Sequence, residues 1–151
     1  MMQLDERLGF VKLDLGTSKA VESYLANQLL KYGYVKDTYK TALLDREKEF
    51  PTGLPSATPA VAIPHANADL VYKTTIAVAT LKHPVNFKNM GAITEDVPVE
   101  IVIMLVISEP HSQVSMLQKV VEIAQNPVLK AQLLQEKDRQ TLIKLVETAI
   151  N

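Results

Sequence analysis

Cysteine does not occur anywhere in the 151 residues. Its absence removes disulfides, zinc–thiolate sites and a cysteine nucleophile from consideration. There is no excess of either charge sign: 16 Lys and Arg stand against 17 Asp and Glu, for a net charge of −1. Non-specific binding to nucleic acid or to an anionic membrane needs a basic excess, so neither is expected. Long apolar runs are missing too. The longest, Ile101 to Ile107, falls far short of the roughly 20 residues of a membrane span, and no direct membrane insertion is expected. The amino end, Met1-Met2-Gln3-Leu4-Asp5-Glu6-Arg7, carries acidic residues and no apolar core, which is not the pattern of a secretory signal. Together these readings predict a cytoplasmic protein.

Several catalytic signatures are likewise absent. No glycine-rich loop ends in Lys-Ser or Lys-Thr, and no G-x-G-x-x-G occurs, so no nucleotide cofactor is indicated. A G-x-S-x-G elbow is missing, which argues against a Ser-His-Asp hydrolase. His65, His111 and Asp69 are of metal-ligand type, but no H-x-x-x-H spacing supports a site. The expectation is no metal and no cofactor.

What is present is 47% hydrophobic and 22% charged residues, ordinary for a globular chain. The length suits one well-cored domain, over residues 1–151. Phe10 to Leu15 alternates as a half-buried strand. Thr17 or Ser18 can cap a helix with the stripe Val21, Leu25 and Leu29, stopped by Gly33. Asp37 is the expected cap of a second helix, which Pro51 ends. Strand-like segments follow at Ala60–Ile63, at Thr75–Leu81, at Val85–Phe87 after a turn at His83-Pro84, and at Val99–Ile107, whose unbroken apolar character suits a central strand. The last third reads as helices: the stripe Leu117, Val120, Val121 and Ala124, a short helix from Val128 to Leu134, and a final one with Leu142, Leu145, Val146 and Ala149. This predicts an α/β fold, a single layered domain with a mixed parallel and antiparallel sheet flanked by helices on both faces. A hairpin joining Thr75–Leu81 to Val85–Phe87 supplies the antiparallel part.

The run Pro59-Ala60-Val61-Ala62-Ile63-Pro64-His65-Ala66-Asn67 carries the most chemical information. Proline cannot continue a ladder, so His65 is delivered where the chain turns out of the sheet. Its neutral imidazole is well populated near physiological pH and is nucleophilic. His111, in Glu109-Pro110-His111-Ser112-Gln113, also follows a strand and precedes a helix, whose amino terminus is a natural seat for a phosphoryl group; a residue that merely caps or packs there is the alternative. Arg46 offers two parallel N–H donors to an oxyanion, provided that the loop Thr52–Pro59 folds its helix end against His65, in which case Thr52 can donate its hydroxyl to the same anion. Otherwise Arg46 is one more residue of a solvated charge run. His83 reads as a surface residue. The chemistry that survives is a histidine that accepts a phosphoryl group, helped by a second histidine and an arginine.

Arg46-Glu47, Thr52-Gly53, Ala62-Ile63-Pro64-His65 and His111-Ser112-Gln113, in this order, resemble the enzyme IIA component of the sugar phosphotransferase system, fructose/mannitol class. The resemblance covers almost the whole chain. It departs at Ala66-Asn67, where many members have Gly-Thr, which bears on the geometry of the loop. It implies that His65 is phosphorylated, that His111 positions the phosphoryl group and that Arg46 stabilises its charge. Phe87-Lys88-Asn89-Met90-Gly91, Val97-Pro98-Val99-Glu100 and Met116-Leu117-Gln118-Lys119 look most like galactitol-type members. The implied partners are phospho-HPr, a IIB protein with an acceptor cysteine and, indirectly, the membrane IIC protein. Leu54, Pro55 and Met116 are the expected apolar rim of the docking face. A regulatory, nitrogen-type IIA acting by protein binding, and a metal- or ligand-binding module, are the competing readings.

Overall fold

The structure, a computed structural model, describes residues 2–151. In chain order these form β1 (Gly9–Leu13), α1 (Ser18–Lys31), α2 (Tyr39–Glu49), β2 (Gly53–Leu54), β3 (Ala60–Ala62), β4 (Thr75–Asn89), β5 (Ala92–Val106), α3 (Pro110–Ala124), α4 (Pro127–Gln135) and α5 (Arg139–Ile150). The strand order is β1-β4-β2-β3-β5, with β4 also paired directly to β5. β4 runs parallel to β1 and β2 and antiparallel to β5, whereas β3 is antiparallel to β2 and parallel to β5. The sheet is mixed, as the sequence implies.

Side chains alternate across a strand, so each central strand serves two cores. Ala60, Ala62, Ala77, Ala79, Val102 and Met104 face one side, where Val21, Leu25 and Leu29 of α1 and Leu43 of α2 cover them. Val61, Ile63, Ile76, Val78, Ile101 and Ile103 face the other, under α3, α4 and α5. Helices therefore pack on both faces, which is why β3 and the second half of β5 are apolar without interruption.

Local chemistry sets most boundaries. Thr17 caps α1 by accepting the Ala20 N–H at 3.1 Å, and Gly33 takes the positive φ (+77°) just past that helix that favours glycine. Pro127 and Asn126 open α4 and Asp138 caps α5. Asp37 does not cap α2: Thr38 holds that position, with no side-chain bond to the helix.

The expected hairpin at His83-Pro84 is not there. β4 runs through both residues to Asn89, and the chain reverses between Asn89 and Ala92 instead. The pairing with β5 slips between Thr80 and Val85. A bulge of that kind tolerates a proline inside a strand. His83 and Pro84 are exposed, and the antiparallel pair is β4 with β5. In α3 the buried stripe is Met116, Val120, Ile123 and Ala124, with Leu117 and Val121 only partly covered. Likewise α5 buries Leu142, Ile143, Val146 and Ile150, and leaves Ala149 exposed.

Candidate active site

β3 ends at Ala62, and Ile63 and Pro64 carry the chain out of the sheet. The strand does not stop cleanly. Leu105 N–H donates to the Pro64 carbonyl at 3.1 Å, and His65 makes a single parallel bridge to Leu105. His65 is thus fixed by its backbone to the central strand β5 while its side chain, half-buried, leaves the sheet. The ring is fixed as well: Nδ1 lies 2.9 Å from the Ile63 carbonyl oxygen. A carbonyl only accepts, so Nδ1 carries the proton and Nε2 keeps its lone pair. Burial lowers the imidazole pKa below its ordinary value; the Ile63 bond opposes this, and the charge of Arg46 adds to it.

Arg46, in the last turn of α2, comes to this loop. A cleft of about 180 Å³ is lined by Ala42, Asp45, Arg46 and Phe50 from the helix side and by Ala66 and Asn67 from the His65 side. The guanidinium sits 5.4 Å from the centre of the exposed Phe50 ring. Its Nε is buried and has no hydrogen-bond partner among the described residues. A buried donor left open beside the His65 loop is ready for an anion's oxygen.

The start of α3 reaches the same loop through Gln113, whose Nε2 donates to the Ala66 carbonyl at 3.1 Å. That bond seats the first turn of α3 on the residue following His65, and His111 belongs to this turn, exposed. The helix end is not an open anion seat, however. Glu109 is the N-cap, and its carboxylate takes the His111 N–H at 3.4 Å.

Thr52 is placed differently from the expectation. It is buried, and its hydroxyl donates to Glu47 Oε1 at 2.7 Å while its backbone N–H donates to Glu47 Oε2 at 2.7 Å. The hydroxyl is therefore committed to a carboxylate rather than presented to an anion. Thr52 still bears on the site, because its carbonyl accepts the Ile63 N–H at 3.1 Å. Of the expected rim, Leu54 and Pro55 reach the surface but Met116 is a core residue. Phe50, 60% exposed, lines the cleft with Ala66 and Asn67, and Val114, 62% exposed, follows Gln113 in α3. Among the described residues no three His, Cys, Asp or Glu side chains gather as a metal site would need.

Sequence reading overlooked Glu22, the role of Glu47 as the partner of Thr52, and Gln113 as the tie between α3 and the loop. Glu22 had a signal. It occupies an inward position of the stripe Val21, Leu25, Ala26 and Leu29, where a carboxylate is out of place unless it has a task.

Comparison with known proteins places this arrangement. The chain is 32% identical over 130 residues to the galactitol-specific EIIA component of the phosphotransferase system of Escherichia coli K12, covering 86% of this chain and 80% of that protein. Its fold matches the crystal structure of the mannitol IIA of Escherichia coli with a TM-score of 0.78, at 22% identity, over 96% of this chain and 99% of the other. A solution structure of the Escherichia coli mannitol IIA in complex with phosphorylated IIB matches with a TM-score of 0.77, at 22% identity, over 98% and 99% of the two chains. The family model for the phosphoenolpyruvate-dependent sugar phosphotransferase system, EIIA 2, matches residues 2–149. A match running through every strand and helix described above is a statement about the whole fold, and the chain belongs to the EIIA type 2 family, the phosphotransferase components of that system.

Proposed function

We propose that residues 1–151 act as one EIIA domain that carries a phosphoryl group on Nε2 of His65. The observation that carries the reading is the hydrogen bond between His65 Nδ1 and the Ile63 carbonyl, 2.9 Å long. It commits one ring nitrogen and leaves the other as the nucleophile. Nε2 attacks the phosphorus of phospho-HPr. The new P–N bond forms as the old one breaks, and the donor imidazole takes the electron pair. The proton stays on Nδ1 throughout, donated to the Ile63 carbonyl. Arg46 meets the charge of the transferring group with its open Nε–H, and His111, in the first turn of α3, positions the phosphoryl oxygens. The second transfer goes to a cysteine of a IIB protein, which phosphorylates the sugar brought in by the membrane IIC protein. The fold relative solved with phosphorylated IIB supports a IIB protein as the acceptor. The carrier works in the cytoplasm, and galactitol is the polyol favoured by the 32% identity to a galactitol-specific component.

Incubation with enzyme I, HPr and phosphoenolpyruvate, followed by intact-mass measurement, tests the assignment. The wild type gains one phosphoryl group and His65→Ala gains none. Replacing His111 slows onward transfer to IIB more than it slows uptake. Full incorporation in the His65→Ala protein overturns the reading.

A further inference from the structure

A buried carboxyl group and a half-buried one lie behind the site, and nothing in the transfer step itself uses them. Glu22 of α1 is 1% exposed, and its Oε2 has no hydrogen-bond partner among the described residues. Its carboxyl group faces that of Glu47 on α2 across one cavity, close enough for a proton to bridge the two. Two charged carboxylates in such a place repel strongly, so one holds the proton. That one is Glu22: it is the more buried and has no other donor, whereas Glu47 receives the N–H and O–H of Thr52. Burial first, then the charge and the hydrogen bond of Glu47, push the Glu22 carboxyl up to about 10. The pair lines a cavity of about 420 Å³, through which the proton can exchange with solvent. The other charged groups facing it are Lys19, Asp45, Lys48 and Lys88 in that cavity, and the buried, neutral hydroxyl of Tyr39 lies near Glu22.

From Glu47 a continuous set of bonds leads to the nucleophile. Glu47 grips Thr52 at two atoms; the Thr52 carbonyl takes the Ile63 N–H at 3.1 Å; the Ile63 carbonyl takes the His65 Nδ1–H at 2.9 Å. Resting on the reading of His65 as the phosphoryl acceptor, we propose that Glu22 and Glu47 are a positioning pair: the proton they share locks Glu47 onto Thr52, and through Ile63 this fixes the ring orientation and tautomer of His65. Neither carboxyl group touches the phosphoryl group. The pair sets which ring nitrogen is free to react, and Glu22 adds a donor to the two of Thr52, which lets Glu47 stay charged.

The test reads His65 directly, in the unphosphorylated protein, by long-range proton–nitrogen correlation of its imidazole. The wild type shows the Nδ1–H tautomer. Glu47→Gln leaves a single acceptor oxygen for the two Thr52 donors, and the Nε2–H tautomer becomes populated. Uptake from phospho-HPr then falls by about tenfold or more, as misplacement of a reacting atom does. Glu22→Leu, without a donor, shifts the tautomer in the same direction; Glu22→Gln, which restores a neutral donor, brings it back toward the wild type. A purely structural role does not predict that rescue. Should Glu47→Gln fail to fold, Thr52→Val removes the hydroxyl alone and is read in the same way. A wild-type imidazole spectrum in folded Glu47→Gln or Thr52→Val overturns the proposal, and so does a Glu22→Gln protein as disturbed as Glu22→Leu. If the tautomer shifts as expected but the wild type takes up no phosphoryl group, it is the assignment of His65 as carrier that fails.

Discussion

Burial makes the imidazolium form of His65 costly, and the nearby Arg46 charge adds to that cost, while the Ile63 carbonyl works the other way. The balance lowers its pKa, so the neutral, nucleophilic ring survives at a pH where a free histidine is already protonated. Initial rates of phosphoryl uptake, followed from about pH 5.5 to 8, should therefore have their acid midpoint below the ordinary value of 6.5. A midpoint at or above that value contradicts the account. The sign for stability is the same: the unfolded chain binds the proton more readily, so His65 makes folding weaken as pH falls below 6.5. Glu22 has the opposite sign. Its pKa is raised from 4.5 to about 10, so the folded state holds a proton that the unfolded state gives up, and its contribution is lost as pH rises from 4.5 towards 10. Glu22→Gln should raise the melting temperature at pH 8 by more than at pH 5, at roughly 2–4 °C per kcal/mol for a chain of this size. Thermal denaturation at the two pH values decides it; equal shifts mean that Glu22 is not the protonated partner.

At the scale of elements, the site is assembled by short pieces that have little stability of their own. β2 is two residues long, yet it connects the Thr52 clamp to the sheet: Gly53 pairs with Ala62 of β3 and with Asn89 of β4. A Cβ added at Gly53 would lie 2.7 Å from the Lys88 carbonyl oxygen and 3.2 Å from Cβ atoms of Phe87 and Val97. The first neighbour is backbone and cannot swing aside. Gly53→Ala should therefore cost about 1–3 kcal/mol, the usual range for overpacking, and lower phosphoryl uptake as Thr52 is displaced. Urea unfolding alongside the uptake assay measures both, and a variant unchanged in either removes β2 from the argument. This scale also shows where reading the sequence succeeds. Caps and breakers are local, so Thr17 and Gly33 mark the two ends of α1 correctly. The His83-Pro84 turn was misread because proline is equally at home in a turn and on a bulge, and only the register with β5 distinguishes the two.

For the molecule as a whole, the two cores fasten α1 and α2 to one face of the sheet and α3, α4 and α5 to the other. Both groups send one end to the His65 loop: α2 brings Arg46 and Phe50 against Ala66 and Asn67, and Gln113 ties the first turn of α3 to Ala66. The Arg46 guanidinium beside the exposed Phe50 ring suits the carrier proposed above, which would dock HPr and IIB in turn and release each quickly. Such an interface should be small, below roughly 1,200 Å². Titration of labelled protein with HPr should move amide signals around His65, at the end of α2 and in the first turns of α3. Shifts confined to the surface of α4 and α5, or none at millimolar HPr, contradict that docking face.

The sequence by itself determined whatever depends on neighbours along the chain. The Ile63-Pro64-His65 strand exit and the apolar alternation that demands two covered faces are both of this kind. They were legible because proline geometry, periodicity and side-chain chemistry act locally. Only the tertiary structure decided which groups meet. The Thr52 hydroxyl turned to Glu47 instead of the anion, Met116 rotated into the core, and Glu109 took the end of α3. Glu22 and Glu47 lie 25 positions apart, and no pattern in the chain joins them. Their contact exists because α1 packs against α2 over the sheet, and it is that packing which moves a carboxyl pKa to about 10.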